Sequence, residues 1–471
     1  MKAALLCALY GQAGALTALP TIKTLQDRLL KTEHGAALSA EDALRSQGLG
    51  SPHRAAKLRS FGSTEEPRLT LYRDSAAWCP YCQKLWMLLE EKRVPYKVEL
   101  INMRSYGNKP ASFTSRVSGG ILPAIELDGM MYTDSLQIMF MVEDVFGASE
   151  GHRLTLPEPG TPEFGRSQQL LRAERGMFGA WCDYVFRGGW GARGTLERTM
   201  DALDAALQEQ SGPWLSDFTD GPSIVDLQYL SHVERICASV AYWKGDDFRG
   251  SQRWPAVDRW FEAFEQRPSY AASRSDWYSH VNDIPPQYGA GVFSNSDVQK
   301  KNAKSIDLVD CRLPLAPLAT STLPADVLQP GWAHLDAQAP AEAAWQLLKN
   351  FDKASAFAAR AVGQPGGWAL GRPDRARLSD PLAKPAEGEA LEDARLALTL
   401  AASILVDGFD AEPHAAAAAD LFADLSPPRR AAAAKCCDYM RDRVGVPRDM
   451  SYPAARQLRA TLAWTIEALE R

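Results

Sequence analysis

The chain is short of cysteine and histidine and has no long apolar run. Eight cysteines in 471 residues are too few for a disulfide scaffold. Cys7, Cys182, Cys237 and Cys311 stand singly, Cys436 and Cys437 are adjacent, and Cys79 and Cys82 fall in a Cys-x-x-Cys spacing. No second Cys-x-x-Cys and no His-x-x-x-His follows, so the ligand count of a zinc site is not met and no metal is expected. Scattered free thiols fit a reducing compartment. Positive charge is also scarce: 52 Lys and Arg stand against 58 Asp and Glu, a net charge of −6. That balance argues against a nucleic acid partner, which would need a basic surface. The N-terminal apolar run, Ala3 to Ala15, is too short to span a bilayer.

What is present is enough for several domains. A chain of this length is expected to form two to four of them, and 46% apolar with 23% charged residues is the usual balance of a soluble globular protein. Met1-Lys2, the apolar run and Ala13-Gly14-Ala15 have the order of a secretory signal. Residues 16–66 add seven basic side chains and six acidic ones. A two-part leader into a plastid stroma reconciles a signal with free thiols. The other reading is a cytoplasmic protein with an N-terminal helical extension, where Ser39-Ala40-Glu41-Asp42 resembles a helix start.

The densest chemistry lies in Trp78-Cys79-Pro80-Tyr81-Cys82. Arg68 to Tyr72 has the look of a buried strand, and Leu85, Leu88 and Leu89 recur at helical spacing. Cys79 should therefore stand at a helix N-terminus, where free N–H groups and the helix dipole favour a thiolate. A second strand is expected at Tyr96–Ile101 after Pro95. Ile121 to Leu127, a tight Asp128-Gly129 turn and Met131-Tyr132 form a hairpin signal, with a cis Leu122-Pro123 bond expected. Asp134-Ser135 should open the next helix.

This βαβ…ββα stretch resembles the thioredoxin-like half of the cysteine-type glutathione transferases, the omega, lambda and dehydroascorbate reductase group. The match is carried by Cys79-Pro80-Tyr81-Cys82-Gln83-Lys84, Leu89-Glu90-Glu91-Lys92, Val94-Pro95-Tyr96, Ile101-Asn102, Asn108-Lys109-Pro110, Leu122-Pro123 and Thr133-Asp134-Ser135. The resemblance implies that Cys79 forms a mixed disulfide with glutathione and that Lys109 faces the glycyl carboxylate. It also implies that the Leu122 main chain, ahead of Pro123, pairs with the cysteinyl backbone, and that Asp134 and Ser135 hold the γ-glutamyl amine and carboxylate. Cys82 adds glutaredoxin character and is a candidate resolving thiol. The segment Arg104 to Gly107 lengthens the loop before Lys109.

The expected architecture is an α/β thioredoxin-like domain at 67–150 and an all-α glutathione transferase second domain at 151–284. A linker or wrapping segment at 285–337 and an appended helical bundle at 338–471 follow, with 1–66 as a leader or extension. Ser223 and Asp226 have the spacing of a capping box. Phe178, Trp181 and Tyr184 are either acceptor-pocket lining or core. Bundle helices are expected near 341–362, 386–406, 428–444 and 452–469. The expected function is a glutathione-dependent thiol transferase or reductase acting on a small-molecule or protein disulfide, or on dehydroascorbate, with glutathione as co-substrate. The alternatives are a non-catalytic binding or assembly protein of the same fold and a glutathione-conjugating transferase. The C-terminal helices are a candidate docking surface for a protein partner, and a homodimer is compatible with the family.

Overall fold

The computed structural model describes residues 19–366 and 376–471. The expected leader signal at 3–15 lies outside the described residues. At the centre is a five-stranded sheet ordered β1-β3-β2-β4-β5, with β1 Leu58–Arg59, β2 Leu69–Asp74, β3 Tyr96–Ile101, β4 Ala124–Leu127 and β5 Met130–Tyr132. β2 runs parallel to β3, with Asp74 opposite Ile101. β4 runs antiparallel to β2, with Tyr72 opposite Ala124. The end of β2, the end of β3 and the start of β4 therefore share one edge of the sheet. The helix Pro80–Lys92 leaves β2 at that edge and buries Leu85, Leu88 and Leu89 completely. Each such side chain contributes about 1.5–3 kcal/mol of burial.

The second domain is helical, and its central element is Ile224–Trp243, buried along almost its whole length. It starts with the capping box expected from sequence: Ser223 Oγ accepts from Asp226 N–H, and Asp226 Oδ2 accepts from Ser223 N–H at 2.8 Å. This helix packs on Pro80–Lys92 and thereby fixes the back of the active-site element. The α/β domain followed by a helical domain and a helical C-terminal region is thus the observed fold class.

The remainder differs in detail from the sequence expectation. Residues 22–46 form two helices, Ile22–Leu30 and Glu33–Ser46. Leu25 and Leu29 are buried in the C-terminal core. The second helix starts six residues earlier than Ser39, because Thr32 is its N-cap, accepting from Gly35 N–H at 3.1 Å. Leu58–Arg59 adds a strand antiparallel to β3 that a two-residue segment could not announce by periodicity. Within 285–337 the chain is packed and includes a ten-residue helix, Asp297–Ile306, capped by Ser296, so a free linker is not what is seen. The bundle comprises Ala339–Lys349, Phe351–Ala358, Glu389–Asp407, Ala411–Phe422, Pro427–Arg443 and Tyr452–Glu470.

The bundle is tied to the second domain by buried polar contacts. Arg459 and Asp276, both without exposed side-chain surface, form an ion pair at 2.5 Å. The turn at Val446–Met450 inserts beside the start of the helix Trp277–Tyr288, whose N-cap is Asp276: Val446 N–H donates to Ser279 Oγ at 2.9 Å, and Ser275 Oγ donates to Val446 O. Among the described residues no helix is long and apolar enough to cross a membrane.

Candidate active site

β2 alternates buried Leu69 and Leu71 with half-buried Thr70 and Tyr72 and ends in buried Arg73 and Asp74, and the chain then turns through Ser75–Trp78 into the helix. Asp74 is buried, and its Oδ2 accepts from the backbone N–H of Trp78 at 2.7 Å and of Cys79 at 3.1 Å. Cys79 is the N-cap residue of the helix and makes no side-chain cap bond, which leaves its sulfur beside the unpaired N–H groups of the first turn. Both residues are buried, and Cys79 is the more accessible of the two, with 9% exposure against 1% for Cys82. Burial pushes the Cys82 thiol well above its ordinary value, and its nearness to Cys79 and Asp74 adds to that.

One ligand atom each from Asp74, Cys79 and Cys82 lies within 4.8 Å of the others. Three donors fall short of the four that structural zinc takes, and Asp74 Oδ2 already serves two amides. The arrangement suits a nucleophilic thiol over a buried partner.

Residues of the second domain hold this turn from behind. Arg235 lies over the Trp78 ring at 4.8 Å, donates to Trp78 O, and donates to Gln83 Oε1 at 2.9 Å. Trp78 Nε1–H donates to His280 Nδ1 at 3.0 Å, and His280 Nε2 lies 2.9 Å from Glu234 Oε1. One turn further, Lys84 Nζ donates to Gln228 Oε1 at 2.6 Å, and Gln228 Nε2–H donates to Glu174 Oε2 at 2.7 Å. Burial lowers Lys84 to about 8 and His232 to about 4. For Glu174, burial would raise the carboxyl, but bonds from His232 and Arg175 overturn that and hold it at about 2. These partners come from 90 to 202 residues downstream of the residues they hold, and sequence spacing carried no sign of them. Asp74 alone left a trace, as an acid at the end of a strand.

The remaining expected residues gather at the same edge. The Leu122–Pro123 peptide is cis and precedes Ala124, the register partner of Tyr72. The loop after β3 folds back so that Lys109 Nζ donates to Gly120 O, two residues before Leu122. A Cβ on Gly120 would stand 3.1 Å from Lys109 Cδ, so the backbone there approaches the lysine closely. Asp134 sits at φ 70°, and its Oδ1 accepts from Leu136 and Gln137 N–H at 3.0 and 3.2 Å. A non-glycine residue in that region is held at a cost of about 1–3 kcal/mol, a pattern common at functional sites. Asp134 is exposed, and its second carboxylate oxygen remains open to a ligand.

The aromatic trio separates. Trp181 is fully buried, its Nε1–H donating to Ser239 Oγ at 2.8 Å, and Tyr184 donates to Asp246 at 2.5 Å, so both are core and scaffold. Phe178 packs edge-on against His232 and Tyr288. None of the three lines the cavity beside Ser75, which is walled by Tyr106, Asp283 and bundle residues instead. Tyr106, in the lengthened loop, donates to Asp283.

Residues 78–145 match the family model described as glutathione S-transferase, N-terminal domain. The chain is similar to Glutathione S-transferase DHAR2 of Arabidopsis thaliana, 25% identical over 43% of this chain and 91% of that protein. It is also similar, over a shorter stretch, to Glutathione S-transferase DHAR3, chloroplastic, of the same organism, 32% identical over 14% of this chain and 25% of that protein. Among solved structures it is similar to glutathione transferase Omega 3C from Trametes versicolor, with 23% identity, a TM-score of 0.38, and coverage of 45% of this chain and 86% of that one.

Proposed function

We propose, from the premise that residues 78–145 are a glutathione S-transferase N-terminal domain of the cysteine type, that this protein is a glutathione-dependent thiol transferase. Cys79 is the nucleophile. The observation that carries this reading is the placement of Cys79 as N-cap of a helix, its N–H held by buried Asp74 and the residue itself less deeply buried than Cys82. A helix start of this kind stabilises the thiolate that thiol exchange requires.

The Cys79 thiolate attacks the glutathionyl sulfur of a mixed disulfide. A Cys79–glutathione bond forms, and the acceptor leaves as a thiolate that takes up a proton. A second glutathione, ionised to its thiolate, attacks that bond; oxidised glutathione departs and the Cys79 thiolate returns. Glutathione lies on the β4 flank of Cys79. The Leu122 main chain pairs with its cysteinyl backbone, Lys109 neutralises the glycyl carboxylate, and the open oxygen of Asp134 receives the amine. Ser135, at the helix start, receives the γ-glutamyl carboxylate. Dehydroascorbate is a second acceptor: the Cys79 thiolate adds to a carbonyl carbon and the oxygen takes up a proton. A glutathione thiolate then attacks the Cys79 sulfur, ascorbate leaves with the electron pair of the C–S bond, and a second glutathione reduces the Cys79–glutathione disulfide, so that two glutathiones supply the two electrons.

A plastid stroma is the proposed location, a reading supported by the chloroplastic name of one relative. Any leader is then cut upstream of Thr21, since Leu25 and Leu29 are built into the bundle core.

The test compares Cys79→Ser with Cys82→Ser in the reduction of a glutathione mixed disulfide. Cys79→Ser should lose more than about a thousandfold in kcat, while Cys82→Ser should stay within about tenfold of wild type, because glutathione itself resolves the adduct. Full activity in Cys79→Ser removes the mechanism.

A further inference from the structure

The strand order gives the active-site end of β2 two flanks. On the β4 flank lie Leu122, Pro123 and the Lys109–Gly120 contact. On the β3 flank lies a half-open cavity of about 230 Å³, lined by the Ser75–Ala76 turn, the loop after β3, the helix Trp277–Tyr288 and the C-terminal bundle. We propose that this cavity is the acceptor subsite of the thiol transferase reading, on which the proposal rests. It selects a small zwitterionic acceptor, an amino-acid or short-peptide thiol carried as its mixed disulfide with glutathione.

Charge leads there. The wall next to the active-site turn contributes Asp283, which accepts from the Tyr106 hydroxyl, with Ser75 and Asn102 beside it. The bundle wall contributes Arg360 and Arg443. Among the described residues, the bundle acids on this wall are already engaged: Asp380 accepts from Tyr439 and lies 3.9 Å from Arg443, and Asp442 pairs with Arg441 at 2.8 Å. Arg448 is likewise occupied by Asp449 at 2.8 Å. An acceptor ammonium therefore meets Asp283, and an acceptor carboxylate meets Arg360. Charge-assisted bonds of this kind are roughly twice as strong as neutral ones, and a neutral alkyl thiol makes neither.

The position fits the chemistry. Ser75 directly follows Asp74, whose carboxylate holds the Cys79 N–H. With the acceptor on the β3 flank and glutathione on the β4 flank, the disulfide between them crosses the end of β2, where Cys79 opens its helix. The bundle then acts as one wall of the substrate site.

The experiment measures kcat/KM of the full chain for two mixed disulfides of glutathione, one with cysteine and one with 2-mercaptoethanol. The cysteine compound should be preferred by about tenfold or more, which corresponds to about 1.4 kcal/mol. Arg360→Gln and Asp283→Asn, placed on different elements, should each cut that preference to about threefold or less, chiefly through KM. A wild-type ratio of one or below overturns the proposal without any variant, and so does a preference that survives both substitutions. If neither compound is turned over, the thiol transferase reading fails along with it. If both are turned over equally, the acceptor assignment alone fails.

Discussion

Two pairs of cysteines in this chain have opposite fates. Cys79 and Cys82 stand at the start of a helix beside a buried carboxylate, the first with 9% of its surface exposed and the second almost fully covered. Cys436 and Cys437 stand in the middle of Pro427–Arg443 with no exposure at all. Burial pushes Cys436 up to about 11 and Cys437 higher still. Mid-helix N–H groups are all spent on the helix ladder, so nothing there favours an anionic sulfur. Reactivity follows the place of the sulfur in its helix, and pairing in sequence is not enough.

The comparison can be broken most sharply by substitution. Cys79→Ser should reduce thiol-transfer turnover by more than about a thousandfold, whereas Cys436→Ala with Cys437→Ala should leave it within about twofold, as read by kcat on one mixed disulfide. A loss of activity in the second variant comparable to the first would put chemistry into the bundle. Next in size is the joint between the halves. Asp276→Ala leaves Arg459 buried and unpaired, and urea unfolding should show a loss of about 3–5 kcal/mol. An unchanged midpoint would mean that the bundle is not mechanically coupled to the second domain.

Asp283 sharpens the contrast from the acid side. Burial raises its carboxyl to about 6 from an ordinary value of 3.8. A folded-state value above the unfolded one means that the folded protein binds the extra proton between those limits, so stability falls as pH rises through that window and the cost is complete above pH 6. That cost is roughly 3 kcal/mol. Asp283→Asn should therefore stabilise the protein by up to about that amount at pH 8 and by nearly nothing at pH 4, measured as the shift in urea midpoint. A gain of equal size at both pH values would contradict the assigned cause. The smallest effect is expected at the inert pair itself: Cys437→Ala should cost about 1 kcal/mol through the volume it removes from the bundle core.

Local signals were readable wherever the chemistry is local. The strand-to-helix passage at Cys79, the Asp128-Gly129 hairpin, the Ser223/Asp226 box and the bundle helices Glu389–Asp407, Pro427–Arg443 and Tyr452–Glu470 follow from periodicity or turn chemistry, whereas the helix expected at 341–362 divides into Ala339–Lys349 and Phe351–Ala358, and Ala411–Phe422 was not expected. The two-residue strand Leu58–Arg59 exists because Tyr96 and Lys97 offer it an edge, and no pattern that short declares itself. The helix Asp297–Ile306 is mostly polar and is held by its contact with Ile224–Trp243, which propensity alone does not foresee. The same holds for the site. Cys79, Lys109, Pro123 and Asp134 carry motif spacing, but Arg235, His280 and Asp283 reach the active-site turn through tertiary folding.

The most direct measurement is to incubate the reduced full chain with oxidised glutathione and map the adduct by peptide mass spectrometry. One glutathionyl group should appear on the peptide bearing Cys79, with none on Cys82, Cys436 or Cys437, and it should vanish when free glutathione is added. An unmodified Cys79, or a glutathionyl group carried by one of the buried cysteines while Cys79 stays free, would contradict the account.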